Sequence, residues 1–338
     1  AQAVFGMARS LTPDRERAAI AVIAVFLVVL LSGALGQIGT ELSIALAQIY
    51  GNDRVIVSDV REPAKALEAG SFEQLDVLDF PRFQEIIDKH QIKIVYHLAS
   101  LLSGTSEKNP SLAWRLNIDP LLFLCNLAKD GVLDQLFWPS SIAVFGREIP
   151  KTEVGQEVPL NPATVYGITK LAGEKWCEYY HSKYGVDVRS IRYPGLISWK
   201  APAGGGTTDY AVEIYHKAIE EGKYTSFIAE NTAMPMLYMD DAIAATLKLM
   251  QAPAEDLTVR TSYNLGGMSF TPATLAEAIR KEIPEFTIAY APDFRQEIAD
   301  SWPASIDDSV AKKDWGLNYA FDIDSMTKDM LLNLKKPA

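Results

Sequence analysis

The chain has 338 residues, of which 48% are hydrophobic and 22% are charged, and its formal net charge is -11. This length and composition suit one large α/β domain, or one domain with an attached lobe. Because phosphate neutralisation needs clustered Lys and Arg, the scattered cations argue against a nucleic-acid partner. The four histidines have no paired spacing, so no metal site is predicted, and Cys125 and Cys177 are expected to be buried thiols.

An apolar run at residues 18–31 follows a charged stretch that contains Asp14 and Glu16. The run is too short to span a bilayer comfortably, so we expect no membrane attachment; a form anchored by this run is the alternative. A signal peptide would also begin in this order, but its removal would take away the first strand of the fold. We therefore interpret residues 1–25 as an N-terminal extension of unclear origin. The predicted location is the cytoplasm, or the mitochondrial matrix in a eukaryote.

Strand-like runs alternate with helix-like segments through the first two thirds of the chain. Strands followed by helical crossovers predict an α/β fold with a Rossmann-type, doubly wound parallel sheet. After about residue 194 the order loosens, which predicts a smaller C-terminal substrate-binding lobe. The predicted strands are 25–31, 54–60, 72–78, 93–99, 135–141 and 187–193. The predicted Rossmann domain comprises 26–193 and 236–268, and the predicted lobe comprises 194–235 and 269–333.

A glycine motif follows the first predicted strand and opens a helix. Gly33, Gly36 and Gly39 have the spacing G-x-x-G-x-x-G. Glycine permits the tight turn and the close approach of the backbone to a pyrophosphate, and the helix N-terminus supplies donors and the positive end of its dipole. The motif therefore predicts a dinucleotide cofactor.

The ends of the next strands indicate which dinucleotide binds. Asp59 ends the second strand, where a carboxylate accepts the ribose hydroxyls of NAD and repels the extra phosphate of NADP. Asp76 ends the third strand, where a contact to the adenine edge is expected. Leu98 and Ala99 end the fourth strand, beside the expected cofactor path. NAD rather than NADP is predicted.

A tyrosine and a lysine predict the catalytic group. Tyr166 and Lys170 are four residues apart, so both project from one face of a helix. We expect the lysine ammonium to lower the pKa of the tyrosine, which can then take a hydroxyl proton while hydride leaves the carbon. Ser141 ends the fifth strand and is expected to bind the reacting oxygen; its neighbour Ser140 is the second choice, because successive strand residues point to opposite faces.

These motifs resemble a known family. "GALGQIG", "PSSIAVFG", "YGITK", "RYPG" and "IDDSVAKKDWG" look like those of the extended short-chain dehydrogenases/reductases. "RYPGLISWKAPAGGGTTDYAVEIYHKA", "MPMLYMDDAI", "TSYNLGGMSFTP" and "ADSWPASIDDS" closely resemble the NAD-dependent L-threonine 3-dehydrogenases of that superfamily, and the resemblance runs from about residue 26 to 333. It implies oxidation of the threonine 3-hydroxyl to give 2-amino-3-oxobutanoate and NADH, in threonine catabolism towards glycine or aminoacetone, by a homodimer.

The resemblance also implies roles by matching position. Catalysis would fall to Ser141, Tyr166 and Lys170, of which the last two also contact the cofactor. The residues implied along the cofactor are Gly33, Gly36, Gln37, Ile38, Asp59, Arg61, Asp76, Val77 and Leu196, with Gly39, Leu98 and Ala99 added from their positions. Ser103 and Thr208 are implied near the substrate.

The glycine run at residues 204–206 is interpreted from the expected substrate. A free amino acid carries a carboxylate, and a helix N-terminus is an anion site. We expect Gly206 and its neighbours to let the loop approach and close over the ligand, and Thr207 or Thr208 to cap the following helix and offer a hydroxyl. The expected inner face of that helix is Ala211, Ile214, Tyr215 and Ala218. The methyl pocket is expected from Met236, Leu102 and Trp302.

Two other functions are open on this sequence. A nucleotide-sugar epimerase or dehydratase would use the same Tyr166 and Lys170, but such relatives carry R-Y-F-N in the sixth strand, where this chain has Pro194 and Gly195. A cofactor-sensing regulatory protein would have the fold without catalysis. It need not keep the tyrosine and lysine, so their presence together with Ser141 favours an enzyme.

Overall fold

The structure is a computed structural model that describes residues 27–200 and 206–335. The predicted extension 1–25, the first residues of the predicted first strand, and Gly204 and Gly205 lie outside the described residues. The described chain forms two compact units. Unit one comprises 27–100, 115–138 and 176–189, and unit two comprises 101–114, 139–175 and 190–335. Residues 139–175, which the sequence assigned to the Rossmann domain, thus pack with unit two.

The secondary structure alternates strands and helices as expected. The strands are β1 Val29–Ser32, β2 Val55–Asp59, β3 Ser71–Gln74, β4 Ile94–His97, β5 Gln135–Phe137, β6 Ser140–Ser141, β7 Val188–Arg189, β8 Ile191–Tyr193, β9 Gly195–Ile197, β10 Lys223–Ser226, β11 Met234–Tyr238, β12 Tyr263–Asn264, β13 Met268–Phe270 and β14 Thr287–Tyr290. The helices are α1 Gln37–Tyr50, α2 Phe80–His90, α3 Ser103–Lys108, α4 Pro110–Lys129, α5 Val165–Tyr184, α6 Tyr210–Glu221, α7 Met239–Gln251, α8 Pro272–Glu282, α9 Arg295–Ser301, α10 Ser309–Trp315 and α11 Ile323–Leu334.

Unit one is built on a six-stranded parallel sheet in the order β3-β2-β1-β4-β5-β7. Its central strands are apolar and fully buried, because helices cover both faces of such a sheet. The strand order reverses at β1, which places the start of α1 at the switch point where open α/β sheets bind ligands. The predicted α/β class and the doubly wound Rossmann-type sheet are confirmed.

Several strand boundaries differ from the prediction. The strand predicted at 72–78 ends at Gln74 and the one predicted at 93–99 ends at His97, so Asp76, Leu98 and Ala99 follow their strands rather than end them. The predicted strand 135–141 is divided, because the chain leaves the first sheet after Phe137 and pairs again only at Ser140, beyond a proline that lacks a ladder donor. The predicted strand 187–193 is divided at Ser190, and its second half pairs with β6 and β12 in a separate parallel sheet of unit two.

The described residues of the predicted lobe, within 194–235 and 269–333, lie in unit two. A three-stranded sheet, β13-β11-β9, and a parallel pair, β10 with β14, contribute to it. Helix α6 lies against a buried core that includes residues from α8 and α11. The four residues expected on the inner face of α6, namely Ala211, Ile214, Tyr215 and Ala218, are all buried, as predicted.

Both cysteines are buried, as the sequence predicted. Burial raises the pKa of the Cys125 thiol to about 12, so this side chain is an inert core residue. Among the described residues, none of the helices combines the length and the hydropathy that crossing a bilayer requires.

Gly39 offers a test of how α1 docks on the sheet. A Cβ at this position would lie 2.4 Å from the Gly33 carbonyl oxygen and 2.7 Å from the Ala34 Cα. Gly39→Ala is therefore expected to lower the free energy of unfolding by roughly 1–3 kcal/mol, because backbone atoms cannot move aside cheaply. Urea denaturation followed by circular dichroism measures this difference.

Gly104→Ala is the matched control, since Gly104 also lies in a helix but has no atom within 4 Å of an added Cβ. There the free energy of unfolding should stay the same or rise by up to about 1 kcal/mol, because alanine favours a helix more than glycine. Equal stability of Gly39→Ala and the wild type would contradict the packing argument.

Candidate active site

The glycine turn of unit one is folded tightly against the next strand. Gly33 has φ +79°, and both its N–H and that of Ala34 donate to the Ser58 carbonyl, at 2.8 and 3.0 Å. A Cβ on Gly33 would lie 2.7 Å from the Ala99 nitrogen, so glycine is required by both conformation and space. The turn therefore brings together Gly33 and Ala99, two of the residues predicted along the cofactor.

The start of α1 is suited to an anion. Its N-cap residue, Gly36, contributes no side-chain cap, and the first turn, which contains Gln37 and Ile38, has no acidic residue. The positive end of the helix dipole is therefore not neutralised by the helix's own side chains. These are the features by which a helix start binds a pyrophosphate.

Asp59 is held in place at the carboxyl end of β2. Its Oδ2 accepts the Leu35 N–H at 3.1 Å, and its Oδ1 accepts the Arg61 N–H at 3.2 Å and the Arg61 Nε–H at 3.3 Å. The Arg61 side chain is largely exposed. The carboxylate is thus fixed to the glycine turn itself, where a ribose would follow the pyrophosphate.

The remaining predicted cofactor residues of unit one lie in the segments that follow β3 and β4. The Leu75 N–H donates to the Asp59 carbonyl at 3.0 Å, which brings the following residues beside β2. The Asp76 Oδ1 accepts the Leu78 N–H at 3.0 Å, and Val77 is buried. The Leu98 N–H donates to the Ser32 carbonyl at 2.9 Å. The glycine cradle and Asp59 therefore fit a dinucleotide.

In unit two, the three predicted catalytic residues come together. Tyr166 lies in the first turn of α5, and its hydroxyl shares a hydrogen bond with the Ser141 side chain. The Ser141 Oγ also accepts the Ala143 N–H at 3.2 Å. The Lys170 Nζ lies 5.4 Å from the centre of the Tyr166 ring and donates to the Pro139 carbonyl at 2.7 Å. A tyrosine hydroxyl and a lysine ammonium from the start of α5 therefore lie beside Ser141.

The electrostatics of Tyr166 differ from the prediction. Burial raises the pKa of Tyr166 to about 12, and the hydrogen bond with Ser141 opposes that rise. The predicted lowering of this pKa below its ordinary value is wrong for the protein alone, because the loss of hydration costs the phenolate more than its neighbours return. Proton transfer to Tyr166 consequently needs further positive charge near the phenol.

Two glycines near Tyr166 have a positioning role that the sequence analysis missed. A Cβ on Gly167 would lie 2.2 Å from the Ala143 carbonyl oxygen, and one on Gly146 would lie 2.1 Å from the Asn161 carbonyl oxygen. Gly167 thus allows the start of α5 to touch the segment that follows Ser141. The glycine directly after the tyrosine in "YGITK" was the available signal.

The segment before α6 departs from its expected role. The helix begins at Tyr210, and its N-cap residue is Asp209, so the prediction that Thr207 or Thr208 caps it is wrong. The Asp209 Oδ2 accepts the Gly206 N–H at 2.7 Å. A carboxylate already lies at this amide, so an anionic ligand there would meet a like charge. The structure does not support this helix start as the substrate-carboxylate site.

Thr208 has a different contact. A Cβ on Gly195 would lie 2.6 Å from the Thr208 Cγ2 and 2.4 Å from the Met236 Sδ. The two side chains therefore cover the start of β9, and no larger residue fits at position 195. This is the place where nucleotide-sugar relatives were expected to carry asparagine.

The other predicted substrate residues lie in unit two without a shared contact that fixes their roles. Ser103 is the half-buried first residue of α3. Leu196, which was predicted along the cofactor, is half-buried in β9. Trp302 packs both against the lobe core and against the cluster around Ile142. Leu102 is 60% exposed, whereas Met236 is fully buried. Across the described ranges, no group of three His, Cys, Asp or Glu side chains could hold a metal ion.

Comparison with known proteins places these features in a family. Residues 29–266 match the NAD dependent epimerase/dehydratase family. The GalE-like L-threonine dehydrogenase from Cupriavidus necator, in its holo form, is 52% identical; the match covers 91% of this chain and 100% of that chain, with a TM-score of 0.89. A monomeric L-threonine 3-dehydrogenase from a metagenome is 50% identical, with 91% and 98% covered and a TM-score of 0.87. An uncharacterized epimerase/dehydratase of Staphylococcus haemolyticus is 48% identical over 306 residues, covering 90% of this chain and 96% of that protein.

NAD is the cofactor, as the sequence predicted. Asp59 is expected to set its preference over NADP. Asp59→Asn should raise the affinity for NADPH relative to NADH on the order of 10- to 100-fold, because the removed charge would face the extra phosphate. Arg61, released from its ion pair, would then pair with that phosphate, so adding Arg61→Ala should remove most of the gain.

Calorimetric titration with NADH and NADPH measures both affinities without a substrate. Asp76→Asn is the control, because it removes a neighbouring carboxylate and should change the two affinities alike. A ratio of affinities that is the same in Asp59→Asn and the wild type would contradict the role of Asp59.

Proposed function

The chain belongs to the NAD dependent epimerase/dehydratase family, and we propose that within it the protein is an NAD-dependent L-threonine 3-dehydrogenase. The observation that carries the proposal is the hydrogen-bonded pair of Ser141 and Tyr166 beside Lys170, in a chain about half identical to proteins named L-threonine dehydrogenases. The reaction would oxidise the 3-hydroxyl of L-threonine to the ketone of 2-amino-3-oxobutanoate.

Each residue of the group has a distinct task in the proposed reaction. The Ser141 hydroxyl binds the oxygen of the substrate's 3-hydroxyl, and the Tyr166 phenolate takes the proton as the C–H bond at C3 gives up its hydride. When bound, NAD supplies the hydride acceptor, whose oxidised ring is positively charged. Lys170 holds the Pro139 carbonyl and keeps its charge near the phenol.

The magnitude of the pKa shift determines what this group must achieve. Moving the pKa of Tyr166 from about 12 to about 8 requires about 5 kcal/mol of phenolate stabilisation. Lys170 is already in place when this pKa is raised, with its Nζ 5.4 Å from the centre of the Tyr166 ring. The remaining stabilisation is therefore assigned to the positively charged ring of bound NAD.

The covered start of β9 favours a small substrate over a nucleotide sugar. Thr208 and Met236 fill the space that an asparagine at position 195 would need, so this strand offers no side chain to a diphosphate. The same two side chains are candidates for the contact to the threonine methyl. Ser103, Gly206, Thr207 and Trp302 stay candidates for the remaining substrate contacts.

We extend the proposal to a homodimer. Trp176, Tyr179 and Tyr184 present exposed, mutually packed rings on α5, and such rings are typical of association surfaces. One relative at 50% identity is named as monomeric, so dimerisation is not a requirement of this sequence class. A cytoplasmic location likewise stays a prediction.

Removing the Tyr166 hydroxyl tests the proposed activity. The purified protein with NAD and L-threonine is expected to form NADH, and Tyr166→Phe should lower kcat by roughly 10²–10⁴-fold because the proton acceptor is lost. Tyr179→Phe is the matched control, since it makes the same substitution at a half-exposed position of the same helix. L-Serine, L-allo-threonine and UDP-glucose are measured in parallel. No NADH formation with threonine, together with conversion of UDP-glucose without net NADH, would establish the epimerase activity instead.

The raised pKa of Tyr166 determines the sign of the pH dependence. The reactive form is the phenolate, and a raised pKa means that this form is lost as the pH falls. The logarithm of kcat should therefore rise with pH, with a slope of about one until the apparent pKa is reached. Lys170→Met should move that apparent pKa upward. Steady-state rates between about pH 6 and 10 measure both effects, and a kcat that is independent of pH would contradict the assignment.

A further inference from the structure

One stripe of α5 binds three successive residues of the chain. Tyr166, Lys170 and Glu174 are each one turn apart, and all of them contact the segment 139–141. The first hydrogen-bonds the Ser141 side chain, the second the Pro139 carbonyl, and the third the Ser140 side chain. The reaction proposed above uses the first two of these contacts and leaves the third unexplained.

Glu174 lies in the interior, where a carboxylate is uncommon. It is fully buried, yet it is a carboxylate. The Ser140 Oγ–H donates to its Oε1 at 2.6 Å, and Arg192 donates through Nε to Oε1 at 2.9 Å and through Nη2 to Oε2 at 2.8 Å. A buried charge is costly unless it is paired and hydrogen-bonded, and here each oxygen has a donor.

Arg192 extends the same network across the second sheet. Its Nη1 donates to the Asn264 Oδ1 at 3.0 Å and to the Gln156 carbonyl at 3.3 Å. In the register of the strands, Ser140 lies beside Arg192, which lies beside Asn264. Three parallel strands are thus joined on one face, and Glu174 connects that face to α5.

We propose that Glu174 and Arg192, acting through Ser140, are positioning residues that fix Ser141 against Tyr166. Successive strand residues point to opposite sides, so fixing the side chain of Ser140 also fixes the direction of Ser141. Ser140 is then the anchor rather than the serine that binds substrate. This role rests on the proposed function for its catalytic consequence, while the geometry that it predicts is independent of the substrate.

Ser140 is the position at which the role can be tested. Removing Glu174 or Arg192 would leave a buried charge without its partner, and such variants can fail to fold. Ser140→Ala removes a single hydrogen bond, and the Glu174 Oε1 keeps its bond from the Arg192 Nε. Ser140→Thr retains a hydroxyl and is the conservative rescue.

Ser190→Ala is the matched control. Ser190 is buried at the start of the same sheet, and its hydroxyl forms a 2.5 Å hydrogen bond with the Ser262 hydroxyl. Its loss costs a comparable buried hydrogen bond, and the partner of this hydroxyl is Ser262 rather than Glu174. Any general effect of a serine-to-alanine change in this sheet appears in this variant too.

Two measurements separate positioning from a merely structural effect. In steady-state oxidation of L-threonine, Ser140→Ala should lower kcat by on the order of 10- to 100-fold with little change in the KM for NAD. Ser140→Thr should recover most of the lost kcat. Ser190→Ala should have the kcat of the wild type. In the NAD-saturated protein without substrate, the ¹³C signal of a ring-labelled Tyr166, assigned with Tyr166→Phe, should titrate at higher pH in Ser140→Ala than in the wild type and Ser190→Ala.

The outcomes distinguish the two proposals. If the wild type does not oxidise threonine, the proposed function fails, and the titration of Tyr166 still decides whether Ser140 positions Ser141. If Ser140→Ala and Ser190→Ala behave alike in the titration, the positioning role is overturned. Loss of kcat in proportion to loss of folded protein, with an unchanged Tyr166 signal, would overturn it as well.

Discussion

The contact between one stripe of α5 and the segment 139–141 is the constraint on which unit two depends. Tyr166, Lys170 and Glu174 each bind one residue of that segment, through a side chain, a carbonyl and a side chain in turn. The close approach is possible only because Gly167 presents no Cβ to the Ala143 carbonyl. The contacts of the proposed proton acceptor are therefore also contacts by which α5 packs on the segment 139–141, so a substitution that alters one alters the other.

Burial changes the electrostatics of the side chains in that stripe. It raises the pKa of Tyr166, and it also strengthens the effect of every nearby charge. Glu174 and Arg192 balance one another, so their pair adds no net charge to the network. The lysine charge is then left to act on the phenol, and the buried ion pair provides rigidity at little electrostatic cost to the base.

Local patterns in the sequence predicted those features that depend on neighbours along the chain. The glycine turn, Asp59 at the end of β2, the pairing of Tyr166 with Lys170 and the inner face of α6 all follow from spacing within a single element. The break in the predicted strand 135–141 and the start of α6 after Asp209 could not be read in this way, because each depends on partners in the folded chain. The sign of the pKa shift of Tyr166 failed for the same reason, since spacing reveals the lysine and does not reveal the loss of solvent.

The divided strands separate the proposed catalytic residues from the six-stranded sheet. The chain leaves the six-stranded sheet after Phe137 and again at Ser190, and the two continuations pair with each other in the short sheet that carries Ser141. The next strand, β9, begins at Gly195, where Thr208 and Met236 occupy the space of a side chain. The proposed catalytic residue Ser141 and the proposed substrate-facing start of β9 thus lie on short strands outside the main sheet. Under the proposed function, glycine in place of asparagine at position 195 would distinguish an enzyme for a small substrate from one for a nucleotide sugar.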